Sequence, residues 1–370
     1  MMNKIFFLLI LILFSSFNLI FAQDLPEQTE YLERGMVVDI VQEKHDSELE
    51  KIFMSNQIVQ LLKIKVLSGE FQNRQFNIEN YLTSNPAFDI NLKKGDRVLL
   101  EMDNPQDNKN INITSRDNSP VVLILFGIFA LSLILIGGYQ GMKSLFATIF
   151  TIILIFFVLV PLLLKGFEPI STTIGILIFS IFFTMFILNG VNIKSLSASL
   201  GSIFSLILAG FLSGFIIYLA SLNGISSQES LVLWDKYPEL NFKGILISAV
   251  IIGAFGAVMS IAMSIANCIN EVKKSREDYG FKELFHTGMN VGKDIIGPMT
   301  NTIIFAYLAG GMSLLLLSFD IPFIKFINFQ SVIIEILAAL VGSIAIIYCV
   351  PLTAGISAYL VCKLTTFKNP

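Results

Sequence analysis

The chain has 370 residues, of which 54% are hydrophobic and only 14% charged, and its mean hydropathy is +0.73. That balance excludes a water-soluble globular protein of this length, because the chain has too little polar surface to cover its apolar content. A formal net charge of −3 leaves none of the basic excess that nucleic-acid binding requires.

The chain begins Met-Met-Asn-Lys and runs apolar from Ile5 to Ala22, the charged start and greasy centre of a secretory signal. Ala22 suits the residue before a cut, whereas Ile20 is large for the position two places earlier, so cleaved signal and uncleaved anchor both stay open. From Gln23 to about Asn118 the pattern changes to alternation, as in Met36 to Val41 and Val59 to Val66, which predicts strands. Ser68-Gly69-Glu70, Lys94-Gly95-Asp96 and Asn104-Pro105 supply turn residues between them. Acids outnumber bases by about six in this segment. The expectation is a small exported β-barrel of OB-like kind, residues 23–118, with five or six strands and a solvated charged turn at Lys94. It contains no cysteine: Cys268, Cys349 and Cys362 all lie in or beside apolar helices, where they read as buried small hydrophobes. His45 and His286 read as surface residues, and no zinc spacing or Cys/His nucleophile pair is present.

Residues 119–370 are expected to form a polytopic α-helical bundle of about seven spans: Pro120 to Gly138, Leu145 to Leu164, Ile170 to Leu188, Leu196 to Ala220, Ile245 to Ile269, Pro298 to Phe319 and Val332 to Tyr348 or beyond. With the β domain outside, the bases from Lys143 and Lys194 through Lys273, Lys274, Arg276, Lys282, Lys293 and Lys363 to Lys368 fall inside. Lys165, Lys236, Lys243 and Lys325 fall outside. This asymmetry predicts a bacterial inner-membrane protein with residues 23–118 extracytoplasmic. Trp234 and Tyr237 in the outer loop read as an interfacial anchor, and the mixed charges of Glu271 to Asp278 as a solvated elbow.

Three stretches carry a resemblance to a known family: Leu67-Ser68-Gly69-Glu70-Phe71; Gly253-Ala254-Phe255-Gly256-Ala257-Val258-Met259 with Ala262 to Ala266; and Gly288 to Thr302. With Glu335, Val341-Gly342-Ser343 and Val350-Pro351-Leu352-Thr353 they resemble the YibE/F membrane protein family over nearly the whole chain. The resemblance implies a multi-pass architecture and, by common supposition, a permease. It departs at Ser260, where the family usually has Asp, so no mechanism here can depend on an acid at that position.

Asn290, Asp294, Gly297 and Asn301 are spaced to share one side of a helix. An ionisable residue in a bilayer usually faces a water-filled path or a partner, so Asp294 reads either as a site or as a cap for the helix that follows, paired with Lys293 or Lys274. Gly297-Pro298 reads as a helix break of the kind that exposes amides to a substrate, or as an ordinary helix start. Thr300, Asn301 and Thr302 would add donors and acceptors. Gly253, Gly256, Ser260, Ser264 and Asn267 form a stripe of small and polar residues; with Gly210 and Gly214 they read as close helix packing, and Ser264 also as polar lining facing Asn301. Glu335 either snorkels outward or carries a proton.

The polar pathway expected is therefore Asp294, Asn301, Thr302, Asn290, Ser264 and Glu335. It would serve a secondary permease or conduit for an ion or small solute, with no cofactor, no bound metal and no catalytic residue. The alternative is a scaffold that presents the β domain to an envelope partner; a homo-oligomer fits either reading. No His-Glu-x-x-His, Gly-x-Ser-x-Gly or phosphate-binding Gly-x-x-x-x-Gly-Lys motif occurs, which argues against hydrolysis and ATP-driven pumping.

Overall fold

The computed structural model describes residues 31–45, 58–69, 71–83, 85, 89–102 and 111–366. The leader, Glu70, the Asn104-Pro105 turn and Lys368 lie outside the described residues. The chain divides into two units, residues 1–132 and 133–370.

The first unit holds an antiparallel half-barrel of five strands: β1 (Tyr31–His45), β2 (Ile58–Val66), β3 (Gln75–Leu82), β4 (Arg97–Met102) and β5 (Ile111–Arg116), in the order β3-β2-β1-β4-β5. Alternation does what period-two patterning demands. Leu62, Ile64 and Val66 of β2, Ile78 of β3 and Val98, Leu100 and Met102 of β4 turn inward around Val37, Phe71 and Leu92. β1 pairs with β4 through Tyr31 to Met36 and with β2 from Gly35 onward, and register shifts near Asp39 and Gln42 bend it between the two partners. At the crossing, a Cβ on Gly35 would lie 2.7 Å from Ile64 Cγ2 and 3.0 Å from Leu100 Cδ1, so the missing side chain lets the neighbouring strands meet over β1. Buried polarity is paired: Asn80 donates to Gln60 Oε1 at 3.1 Å and to the Ile90 carbonyl at 2.8 Å, and Gln60 donates to Glu43 at 2.7 Å. The Lys94 turn is solvent-facing, with Gly95 at φ 94 and Asp96 bonded by Arg116 at 2.6 Å.

Helices follow directly. They are α1 (Ser119–Leu154), a π-turn (Ile155–Leu159), α2 (Val160–Leu164), α3 (Pro169–Asn189), α4 (Ile193–Leu219), α5 (Gln228–Lys236), α6 (Phe242–Ser275), α7 (Phe281–Gly310), α8 (Met312–Leu317), α9 (Phe323–Ile327) and α10 (Gln330–Thr366). Side-chain caps set several starts: Asn192 for α4, Ser227 for α5 and Asn241 for α6 each accept a hydrogen bond from the third residue beyond. In the second unit α6 is central and packs against α3, α4, α7 and α10, while α10 also packs against α4 and α7. The second arm of α1 lies on α3, with Phe150 stacked on Phe183 at 3.6 Å and Thr151 hydrogen-bonded to Ser180 at 2.7 Å.

Two expectations are not met as they stood. Five helical segments among the described residues are long and apolar enough to cross a membrane, fewer than the seven expected. The first two predicted spans are merged in one 46-residue segment, Ser119–Leu164, kinked where Gly138 takes φ 54 and ψ −137. The predicted span from Pro298 to Phe319 is not among the five: its residues belong to α7 and α8, and Asp294, Asn301 and the neighbouring threonines dilute the hydropathy of α7. The second correction concerns Gly297-Pro298. α7 runs unbroken from Phe281 to Gly310 with Pro298 inside it. Pro298 has no amide proton to give the Asp294 carbonyl, but packing holds the helix on both sides of that lost bond, through Gly288 and Gly292 before it and Ile303 and Tyr307 after it.

Candidate functional site

With no helix start at Pro298, Asp294 cannot be a cap. The N-terminus of α7 is capped instead by Glu283, which accepts from the Gly280 amide at 3.0 Å. Nor does Asp294 pair with Lys274, whose ammonium lies 2.8 Å from Glu271. Lys273 closes the short elbow between α6 and α7 by donating to the carbonyls of Glu277 at 2.7 Å and Tyr279 at 2.8 Å.

Asn290, Asp294, Gly297 and Asn301 share an exposed face of α7, as their spacing predicts, and Thr302 is exposed beside them. Beside them runs an exposed stripe on α6 made of Ala249, Gly253, Gly256, Ser260 and Ser264. Two contacts fix the antiparallel register of these helices. At one end a Cβ on Gly288 would lie 2.7 Å from Ile269 Cδ1 and 3.2 Å from Ile265 Cγ2. At the other the Tyr307 hydroxyl occupies the space above Gly253. Ser264 therefore stands level with Asp294, and Gly256 level with Thr302. The expected pairing of Ser264 with Asn301 is not made; Asn301 sits level with Ala257.

Ser264 lies seven residues, about 10 Å, before Glu271, the first charged residue at that end of α6, with Asn267 and Asn270 between them. Ala257, level with Asn301, is midway along α6 between Lys243 and Glu271.

The hydroxyls on this face look after themselves. Ser260 and Ser264 donate to the carbonyls of Gly256 at 2.9 Å and Ser260 at 3.0 Å, and Thr302 donates to Pro298 at 2.9 Å. Among the described residues, the side chains of Asn290, Asp294 and Asn301 have neither a hydrogen-bond nor an ion-pair partner. Wherever such a group faces lipid its cost is large, roughly 3 kcal/mol for a carboxylate at the centre of a membrane helix. Glu335 does not join them. It is half-buried on α10, with its Cγ 4.0 Å from the Cβ position of Gly311, at the far end of α7 about 24 Å from Asp294.

Of the four glycines expected to serve packing, Gly210 faces Ile251 at 3.0 Å, Gly214 faces Ile247 at 3.5 Å and Gly253 faces Tyr307, while Gly256 has nothing within 4 Å. Sequence reasoning missed Gly288 and Gly292, whose four-residue spacing was the available signal: Val350 of α10 fills the place of a Gly292 side chain. It also missed a buried polar seam between α4 and α10, where Thr353 sits over Gly201 and Cys349 lies 3.5 Å from Thr353 Oγ1. No sequence signal distinguishes these from ordinary core residues.

Elsewhere a cavity of about 220 Å³ lies where the turn before α3 meets the turn before α6, bounded by Phe167, Glu168, Pro169, Glu239 and Asn241. Burial raises the Glu168 carboxyl, but hydrogen bonds from the amide and hydroxyl of Ser171 outweigh it and hold the group below its ordinary value. Glu168 is thereby committed as the cap of α3. Among the described residues, no three His, Cys, Asp or Glu side chains gather closely enough to hold a metal ion.

Two family models match the chain. The model described as YibE/F family N-terminal domain covers residues 33–117, the half-barrel, and the one described as YibE/F-like protein covers residues 125–363, the helices. No curated protein and no solved structure matches. Together the two models span most of the chain, and the protein belongs to the YibE/F-like family of membrane proteins.

Proposed function

We propose that this protein is a multi-pass permease of the bacterial inner membrane, a non-enzymatic conduit for an ion or small solute. The observation that supports this reading is the α7 face, where Asp294 and Asn301, without partners among the described residues, lie beside the exposed small-residue stripe of α6. Nature rarely keeps an unneutralised carboxylate there without a use for it. In this reading residues 1–22 direct export, and the half-barrel, an OB-type fold by its strand order with β3 near β5, lies on the outer side. The segment kinked at Gly138 supplies two crossings, and α7 with α8 supplies another, giving about seven. The lysines of the α6–α7 elbow then lie inside.

The test uses purified full-length protein in liposomes, screened for uptake of inorganic ions and small metabolites, followed by Asp294→Asn and Asn301→Ala. Both variants should insert at near wild-type abundance and lower the flux by about tenfold or more. Wild-type behaviour from both would favour the scaffold, in which the half-barrel recruits an envelope partner and the helices only anchor it.

A further inference from the structure

The half-barrel joins its first helix without a linker. β5 ends at Arg116 and α1 starts at Ser119, both inside the unit of residues 1–132. Asp117 fixes the turn between them. Its carboxylate accepts from the Ser119 amide at 3.0 Å and lies 3.8 Å from the Arg34 guanidinium, and its own amide donates to the Arg97 carbonyl at 2.9 Å. The apolar run of α1 opens two residues into the helix, at Val121, and no charged residue follows before Lys143. A helix of this kind enters the bilayer at its start, so the end of the half-barrel around Arg97 is carried at the level of the lipid headgroups.

We propose that this end of the half-barrel binds anionic phospholipid headgroups, with Lys93 and Arg97 as the principal contacts.

The charges there run against the rest of the domain. Acids outnumber bases over residues 23–118, yet each acid flanking this turn already has a base: Asp117 faces Arg34, Asp96 accepts from Arg116 at 2.6 Å, and Asp39 lies 3.4 Å from Lys94. Lys93 and Arg97 are exposed and have no ion-pair partner among the described residues, so positive charge is left over. The backbone that presents them is held in place. Asp96 accepts from the Lys93 amide at 2.8 Å and donates its own amide to the Lys93 carbonyl at 3.0 Å, and Arg116 donates to the Asn91 carbonyl at 3.0 Å. A guanidinium suits the paired oxygens of a phosphate, and an ammonium adds a point charge. A free phosphate shares this chemistry, but the lipid phosphate is the one that α1 brings to the surface.

The inference requires that α1 enter a bilayer and not that anything be transported, so it stands or falls separately from the permease reading. The test uses the full chain with its three native cysteines replaced by alanine and a fluorophore attached through Asn91→Cys, which keeps the carbonyl that Arg116 binds. In phosphatidylcholine nanodiscs carrying a minor fraction of lipid with a nitroxide on its headgroup, an anionic nitroxide lipid should quench the fluorophore about twofold or more beyond a zwitterionic one. Lys93→Gln with Arg97→Gln should remove that excess, as should salt at about 0.5 M, whereas Lys93→Arg with Arg97→Lys should keep it. Replacing chloride by inorganic phosphate at constant ionic strength should leave it in place. Equal quenching by the two lipids, an excess that survives the glutamine substitutions, or one erased by phosphate at constant ionic strength would each overturn the proposal.

Discussion

The hydroxyl of Tyr307 on α7 fills the notch left by Gly253 on α6, so the absence of one side chain positions another. A methyl group at residue 253 would coincide with that oxygen. Gly253→Ala should therefore destabilise the protein by about 1–3 kcal/mol through overpacking, and Tyr307→Phe should recover much of the loss by removing the clashing atom. Gly256→Ala, one turn away with open space above it, should leave the melting temperature unchanged or slightly raised. Thermal unfolding of the full chain in nanodiscs compares the three; equal losses from both glycine substitutions would contradict this account of the α6–α7 contact.

Asp117 joins the half-barrel to α1. Its carboxylate accepts from the Ser119 hydroxyl and, at 3.0 Å, from the Ser119 amide, and it lies 3.8 Å from the Arg34 guanidinium. The Ser119 hydroxyl, then its amide and Arg34, hold the pKa below the ordinary aspartate value against the opposing effect of burial. A carboxylate with a lowered folded-state pKa contributes stability that is present above its unfolded value and is lost as pH falls through the folded one. Melting temperatures of the full chain should therefore drop on acidification below about pH 4. Asp117→Asn should be less stable than wild type at neutral pH and show a flatter acid limb, which titrated thermal melts will reveal.

The half-barrel has its own core, and its strands pair only with one another among the described residues. A fragment of residues 23–118 should be soluble, with a strand-dominated circular dichroism spectrum and a cooperative melt. Leu62→Ala should cost about 2–5 kcal/mol because the side chain is fully buried. A featureless melt of the unmodified fragment would mean that the sheet depends on the helices.

Sidedness can be read by cysteine labelling in a background lacking the native cysteines. A cysteine at Lys94, on the solvent-facing turn of the half-barrel, should react with a membrane-impermeant maleimide in intact cells. One at Glu277, in the α6–α7 elbow, should react only after permeabilisation. The reverse pattern would invert the topology and with it the proposed direction of the pathway.

Much of the fold was legible because it depends on local periodicity. Alternation in Val59 to Val66 predicted β2, and the apolar runs from Ile170, Leu196, Ile245 and Val332 predicted α3, α4, α6 and α10 to within a few residues at their starts. The spacing of Asn290, Asp294, Gly297 and Asn301 likewise predicted a shared face. The Pro298 break failed for the opposite reason: proline's effect is local, but Gly288, Gly292, Ile303 and Tyr307 pack the helix on either side of it, and those contacts join residues far apart in the chain.

The sequence by itself determined that α7 has a polar side and that α6 has a small one. Only the tertiary structure decided that both sides face away from the bundle and that Ser264 is level with Asp294 and not with Asn301. The reason is physical. In water an apolar stripe points to the core and a polar stripe to solvent, so the pattern carries its own direction. In a membrane the core and the lipid are equally apolar, and a polar stripe on a helix states only that something must meet it.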